Sequence, residues 1–230
     1  MNKDLHPVQA SILRELLFNN GSTFSALNKT NMSNDNFSFH LKQLSVEGII
    51  EKHLNKYFLT QEGKLFANKL DIFSLKMEKF GTPSVAVTAK KTVDGINYYL
   101  IQERLKEPLY GYHGFINGKV KFGELVEETA SRELLEEAGI SGDEPEIMTI
   151  HHWLRGPTRN HIKLDHYFFI CLVKNPKGKL KSTKEGKNYW MTEEEIKKLK
   201  TFPGFDYSLK TVVSEKPQPF IERYIKVDEI

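Results

Sequence analysis

The sequence predicts an α+β chain made of two parts that differ in texture. Apolar residues recur at helical spacing through most of residues 1–72, interrupted by one short hairpin. From about residue 80 onward, strand-like segments alternate with two or three helical ones. Hydrophobic residues make up 39% and charged residues 27% of the 230 positions, the mixture of a chain that folds. That length accommodates two small domains. We place them at 1–72 and 84–230, joined by a linker at 73–83 that ends in Gly81-Thr82-Pro83.

The first part opens with a helix from about His6 to Phe18, where Val8, Ile12 and Leu16 recur every four residues. Asn19-Asn20-Gly21 ends it with residues that tolerate left-handed backbone. A short helix follows at about Thr23 to Asn28. Ser33 is a good N-cap for a longer helix reaching Glu47, with Phe37, Leu41 and Leu44 on its apolar face. Residues 49–53 and 56–60 can pair across Leu54-Asn55. A last helix runs from about Gln61 to Leu70.

This order of three helices, a two-stranded wing and a helix resembles a winged helix-turn-helix over roughly the first 70 residues. In that family the third helix enters the major groove of DNA. The resemblance makes Asn34, Asn36, Ser38 and Lys42, together with His40 and Gln43, the candidate DNA contacts. Charge keeps an alternative open. Residues 1–72 hold 8 Lys and Arg against 7 Asp and Glu, whereas phosphate contacts usually leave a basic footprint. A dimerisation or protein-docking module fits that near-neutrality equally well.

The second part carries the chemistry. Gly118-Lys119-Val120-Lys121-Phe122-Gly123-Glu124 is followed, after seven residues, by the run from Arg132 to Ile140. On a helix from about Glu124 to Ala138, Glu133, Glu136 and Glu137 fan over about 100° of one face. Three carboxylates so close repel one another unless a cation neutralises them. Hard divalent ions such as Mg²⁺ or Mn²⁺ prefer such oxygens, and Mg²⁺ commonly shares its shell with substrate phosphates. Val126, Ala130 and Leu134 give the helix a buried edge, and Gly139 suits a left-handed cap. Glu124 suits the positive end of the helix dipole.

The spacing resembles the signature of the Nudix hydrolases at each of its fixed positions. These are Gly118, Glu124, Arg132, Glu133, Leu134, Glu136, Glu137, Gly139 and Ile140. One departure is Ile116-Asn117-Gly118, where many members have Pro-Gly-Gly. The resemblance, over about residues 80–230, implies an α/β/α sandwich with a mixed sheet. It implies Glu133, Glu136, Glu137 and Glu124 as metal-binding residues, with Glu185 from a later loop as a fifth. Glu133, Glu136 and Arg132 become the catalytic set, Arg132 holding the carboxylates by a forked ion pair. Gly118, Lys119 and Arg104 are the substrate-binding candidates. The reaction implied is hydrolysis of a phosphate anhydride in a nucleoside diphosphate linked to another group, with Mg²⁺ or Mn²⁺ as cofactor.

The remaining features carry no chemistry by themselves. Cys171 lies in an apolar run and reads as a buried small hydrophobe. A single cysteine excludes an internal disulfide and a cysteine-based zinc site. His151, His152, His161 and His166 read as strand-surface residues, although one of them, or Trp153, Arg155 or Tyr167, could face a pocket. The lysines from Lys174 to Lys187 read as a solvated hairpin. Thr192 followed by three glutamates reads as a helix start. With no leader and no membrane-spanning stretch visible, a cytoplasmic protein is expected. The expected partners are a nucleotide-type substrate, DNA, and a second copy of the chain in a homodimer. The competing reading is a transcription regulator sensing a nucleotide such as ADP-ribose. Retention of all the carboxylates favours hydrolysis.

Overall fold

The computed structural model describes residues 5–29, 32–71, 73–214 and 216–227. The chain divides into two compact units, Met1–Lys79 and Phe80–Ile230.

In the first unit the elements are α1 (Pro7–Phe18), β1 (Ser22–Thr23), α2 (Phe24–Leu27), α3 (Asn34–Val46), β2 (Ile50–His53), β3 (Lys56–Leu59) and α4 (Gln61–Ala67). His6 caps α1 and Pro7 opens it, where a missing N–H costs nothing. Ser33 caps α3 through Asn36 N, as its sequence position predicts. The three strands form one sheet in the order β1-β3-β2. Ile12, Leu13, Leu16, Phe37, Leu44 and Ile50 are fully buried. Each such side chain contributes about 1.5–3 kcal/mol relative to exposure, as an upper bound.

The expected linker at 73–83 is a correction. Leu70 and Met77 form a β-bridge, Glu78 N donates to the Lys69 carbonyl, and Leu75 and Met77 pack on the core of the first unit. At the other end, Thr82 and Pro83 already belong to a strand. The mixed polarity of this stretch hid a turn that folds back on its own unit.

The second unit contains β4 (Thr82–Val93), β5 (Ile96–Arg104), β6 (His113–Gly114), β7 (Ile116–Lys119), α5 (Val126–Ala138), β8 (Ile140–Ser141), β9 (Glu146–Gly156), β10 (Leu164–Val173), β11 (Lys177–Gly178), β12 (Gly186–Met191), α6 (Glu193–Ile196), α7 (Phe205–Val213) and β13 (Phe220–Lys226). The main sheet runs β12-β5-β4-β10-β9-β13, with β6 on β5 and β7 on β4. It is mixed: β4–β10 and β9–β13 are parallel, the other pairs antiparallel. Alternation along the strands fills two cores. Val85, Val87, Ala89, Cys171 and Val173 face one way, packing with Ala130, Leu134 and Ala138 of α5. Ala86, Ile170 and Leu172 face the other way, packing with Ile196 of α6 and with Phe205, Leu209 and Val212 of α7. The sheet is thus sandwiched between α5 and the α6–α7 pair.

Several expectations fail here for one reason. His151 is fully buried and His152 nearly so. They are not strand-surface residues, because α7 and β13, which sequence periodicity left unassigned, cover them. Ser208 and Thr211 of α7 lie within hydrogen-bond reach of the two His151 nitrogens, at 3.2 and 3.4 Å. The basic stretch 174–187 is not a hairpin either. Its β11 pairs with β8, and Lys181 N donates to the Ala138 carbonyl, which ties this stretch to the end of α5.

Candidate active site

The acidic helix is fixed at both ends. Glu128 accepts from Leu125 N at 2.9 Å at its start. At its end Gly139 adopts φ 69°, and a β-carbon there would meet the Lys179 carbonyl at 2.9 Å. The observed helix begins at Val126, so Glu124 lies two residues before it.

Arg132 organises the carboxylates. Its Nε and Nη2 donate to the two Glu124 oxygens at 2.6 and 2.9 Å, a bidentate pair. Its Nη1 donates to Glu133 at 2.5 Å and to Glu136 at 3.3 Å. Thr129 Oγ1 and Lys121 N also donate to Glu124 Oε2. Arg132, then Thr129, hold the Glu124 carboxyl down to about 2. Burial pushes Glu133 up even against the Arg132 hydrogen bond, and repulsion from Glu137 and Glu136 adds to that. Glu136 is exposed. Glu137 accepts from Gln102 Nε2 at 2.6 Å, while its backbone carbonyl accepts from Asn188.

Gly118 explains its own presence. A β-carbon at 118 would stand 2.1–2.2 Å from Glu133 Cγ, Cδ and Oε1. Only glycine lets that carboxyl group lie against β7. Ile116 faces α5, whereas Phe115, Asn117 and Lys119 belong to the opposite side.

That opposite side opens into a cavity of about 270 Å³. It is lined by Ser84 and Ala86 of β4, Asn117 and Lys119 of β7, Trp153 and Arg155 of β9, and His166 and Phe168 of β10, closed over by Phe202 and Phe205. The three predicted substrate-binding residues, Gly118, Lys119 and Arg104, all line it. Arg104 is braced by the Pro108 and Glu107 carbonyls. Of the pocket-facing options raised by the sequence, Trp153, Arg155 and His166 line the cavity, whereas Tyr167 stacks on His152. Phe202 and Phe205 have no counterpart in the sequence reading, because a loop and a short helix after residue 200 show no periodicity that would aim them at the sheet.

The other predicted residues fall in different places. Glu185 pairs with Lys106 and not with the α5 carboxylates, and both side chains are exposed. Asn34, Asn36, Ser38 and Lys42 are exposed on α3 of the first unit. His40 and Gln43 are corrections to the set of candidate DNA contacts. His40 is buried and stacked on His6 at 4.3 Å, and Gln43 accepts from Gln9. Cys171 is fully buried, and burial pushes its thiol up to about 12.

The donor chemistry of α5 fits a hard divalent cation: three carboxylates on one face, one of them, Glu133, raised by burial and by repulsion from the other two. As the side chains stand, no three or more His, Cys, Asp or Glu residues are gathered into an ion-holding group among the described residues. Arg132 stands between Glu133 and Glu136, and Gln102 holds Glu137. No described helix is long and apolar enough to cross a membrane.

Comparison with solved structures places the second unit in a known fold. The MutT protein from Bacillus halodurans superposes with a TM-score of 0.53 at 23% identity, over 62% of this chain and 89% of that one. The NUDIX domain of Shewanella oneidensis NrtR, solved as a complex with ADP ribose, gives 0.53 at 13% identity, over 67% and 97%. A comparison with curated proteins gives no match. The model of the NUDIX domain matches residues 82–211, more than half of the chain, so the chain belongs to the NUDIX family.

Proposed function

We propose that the second unit is a metal-dependent hydrolase that cleaves a phosphate anhydride in a nucleoside diphosphate linked to another group. The observation that carries this is the juxtaposition across β7. The Glu133 carboxylate of α5 lies against Gly118, and a cavity lined by Lys119, Arg104 and aromatic side chains opens from the same strand. Glu133, Glu136 and Glu137 would hold Mg²⁺ or Mn²⁺. When bound, such an ion polarises phosphate oxygens and lowers the pKa of water.

The protein groups have separable tasks. Lys119 and Arg104 supply positive charge for the diphosphate. Aromatic walls suit a flat base or a sugar face. Glu124 has both oxygens engaged and serves to anchor Arg132, and Arg132 positions Glu133 and Glu136. The raised proton affinity of Glu133 suits it to take a proton from the attacking water. Glu185, drawn toward Lys106, remains a ligand candidate from the neighbouring loop.

For the first unit we propose a winged helix-turn-helix in which exposed Asn34, Asn36, Ser38 and Lys42 meet DNA, the protein acting as a homodimer. A regulator sensing a nucleotide is the second reading. It is favoured by the fold match to a NUDIX domain solved with ADP ribose.

The test is a substrate panel of ADP-ribose, dinucleoside polyphosphates, nucleoside triphosphates and NADH, with Mg²⁺ or Mn²⁺. Turnover of at least one, abolished by Glu136→Gln, is expected. Equal inertness of wild type and variant across the panel would sink the hydrolase reading. A gel shift on DNA upstream of the protein's own gene tests the first unit. Absent or salt-insensitive binding would count against DNA recognition.

A further inference from the structure

The cavity holds more positive charge than an anhydride at one end needs. Lys119, Arg104 and Arg155 line it beside His166, whose proton affinity burial and then the charge of Arg155 lower, and none of its lining residues is acidic. Register separates two of these cations. Lys119 pairs with Ser84, Ser84 with Phe168, and Phe168 with His151, whereas Arg155 lies four residues further along β9, opposite Leu164. Three strands across and four residues along is roughly 20 Å between their α-carbons. Both line the cavity, and the charges of both act on His166, which lies between them in register.

Arg155 is only partly satisfied by the protein. One Nη2–H donates to the Pro203 carbonyl at 3.1 Å, and the guanidinium rests 5.9 Å from the Phe168 ring centre. Its Nε is buried with no hydrogen-bond partner, and no carboxylate pairs with it among the described residues. Burial lowers its pKa to about 10. Two strand positions away, His166 Nδ1 is likewise buried without a partner. A buried cation with a spare N–H is unfavourable until an acceptor, best a charged one, meets it. The guanidinium fork matches a carboxylate or a phosphoryl group.

We infer that Arg155, with His166 beside it, forms a second anion subsite, which takes a phosphoryl or carboxylate group on the moiety joined by the anhydride. The enzyme therefore prefers substrates charged at both ends. This inference rests on the reading of the cavity as the substrate site.

Two pairs of nucleotides distinguish the sources of charge. NADPH and NADH differ by a phosphoryl group; UDP-glucuronate and UDP-glucose differ by a carboxylate. Wild type should favour the charged member of one pair by roughly 10–100-fold in kcat/KM, the range of one charged hydrogen-bonded contact. Arg155→Gln should bring that ratio to within about threefold of unity by the same reckoning. No preference in wild type, or an unchanged ratio in the variant, overturns the subsite. Should Arg155→Gln fail to fold by circular dichroism, Arg155→Lys keeps the charge and loses the fork. A lowered ratio there supports the subsite, and an unaltered one overturns it. Calorimetric binding of the same pairs to the Glu136→Gln protein needs no turnover. Discrimination in binding with no hydrolysis by wild type sinks the hydrolase reading alone; absence of discrimination in binding sinks the subsite.

Discussion

The Glu133 carboxyl group lies against the α-carbon of Gly118, so close that a methyl group at 118 would stand 2.1 Å from Glu133 Cδ. The contact joins α5 to β7 and sets where the acidic face meets the strand that leads to the cavity. Gly118→Ala should therefore displace Glu133 without emptying either core. We expect hydrolysis to fall by about 100-fold, the scale of a 1 Å misplacement of a reacting group. Steady-state kinetics alongside far-UV circular dichroism checks this, and near-normal kcat would mean that Glu133 works from elsewhere.

Arg132 is the second point of control. A lysine at this position reaches one carboxylate, whereas the guanidinium reaches Glu124 twice and Glu133 and Glu136 once each. Arg132→Lys should cut activity by about 10–100-fold, the usual cost of losing a group that orients metal-site ligands. It should also weaken the dependence of rate on Mg²⁺ concentration at its low end. A variant with wild-type Mg²⁺ titration would contradict the role given to Arg132.

His151 makes stability depend on pH. Burial lowers its pKa from 6.5 to about 4. Between those values the unfolded chain binds the proton and the folded chain does not, so stability is full above about 6.5 and falls as pH drops toward 4. The loss is on the order of 3 kcal/mol, at about 1.4 kcal/mol per unit. His166 and His40, both lowered by burial, act in the same direction. His152 opposes them: burial lowers it, but its bonds to Glu222 and Asp165 raise it overall, so its contribution is lost as pH rises. Urea unfolding of wild type and His151→Gln at several pH values between 4 and 7 should show a shallower slope for the variant.

The first unit has a local prediction of its own. Thr60 Oγ1 accepts from Gly63 N at 2.9 Å and donates to the Gly48 carbonyl at 2.6 Å. It thereby caps α4 and ties it to the turn after α3. Thr60→Ala should cost about 1 kcal/mol, the usual value of an N-cap. Thermal unfolding of the full chain checks it, and the NUDIX activity should not change.

Much of the molecule is legible locally. Capping residues such as Ser33 and Thr192, the apolar faces of α1 and α3, and the left-handed stop at Gly139 follow from short-range chemistry, which a reader of the sequence sees whole. The signature from Gly118 to Ile140 is equally local, because helical spacing alone puts Glu133, Glu136 and Glu137 on one face. Periodicity was misleading wherever a distant segment decided burial. His151 and His152 alternate like surface residues, yet α7 and β13 cover them from more than 50 positions away along the chain. His40 reads as part of a helix face open to DNA, yet His6 stacks on it.

By itself, then, the sequence determined the acidic helix and its family, because those depend on residues within a few turns of one another. Only the tertiary structure decided that Gly118 makes room for Glu133, that Glu124 is the carboxylate on which Arg132 is forked, and that Lys119 and Arg155 line one cavity. Those relations join β7, α5, β9 and β10, whose positions are set by strand pairing and by the packing of two cores, and no spacing along the chain encodes them.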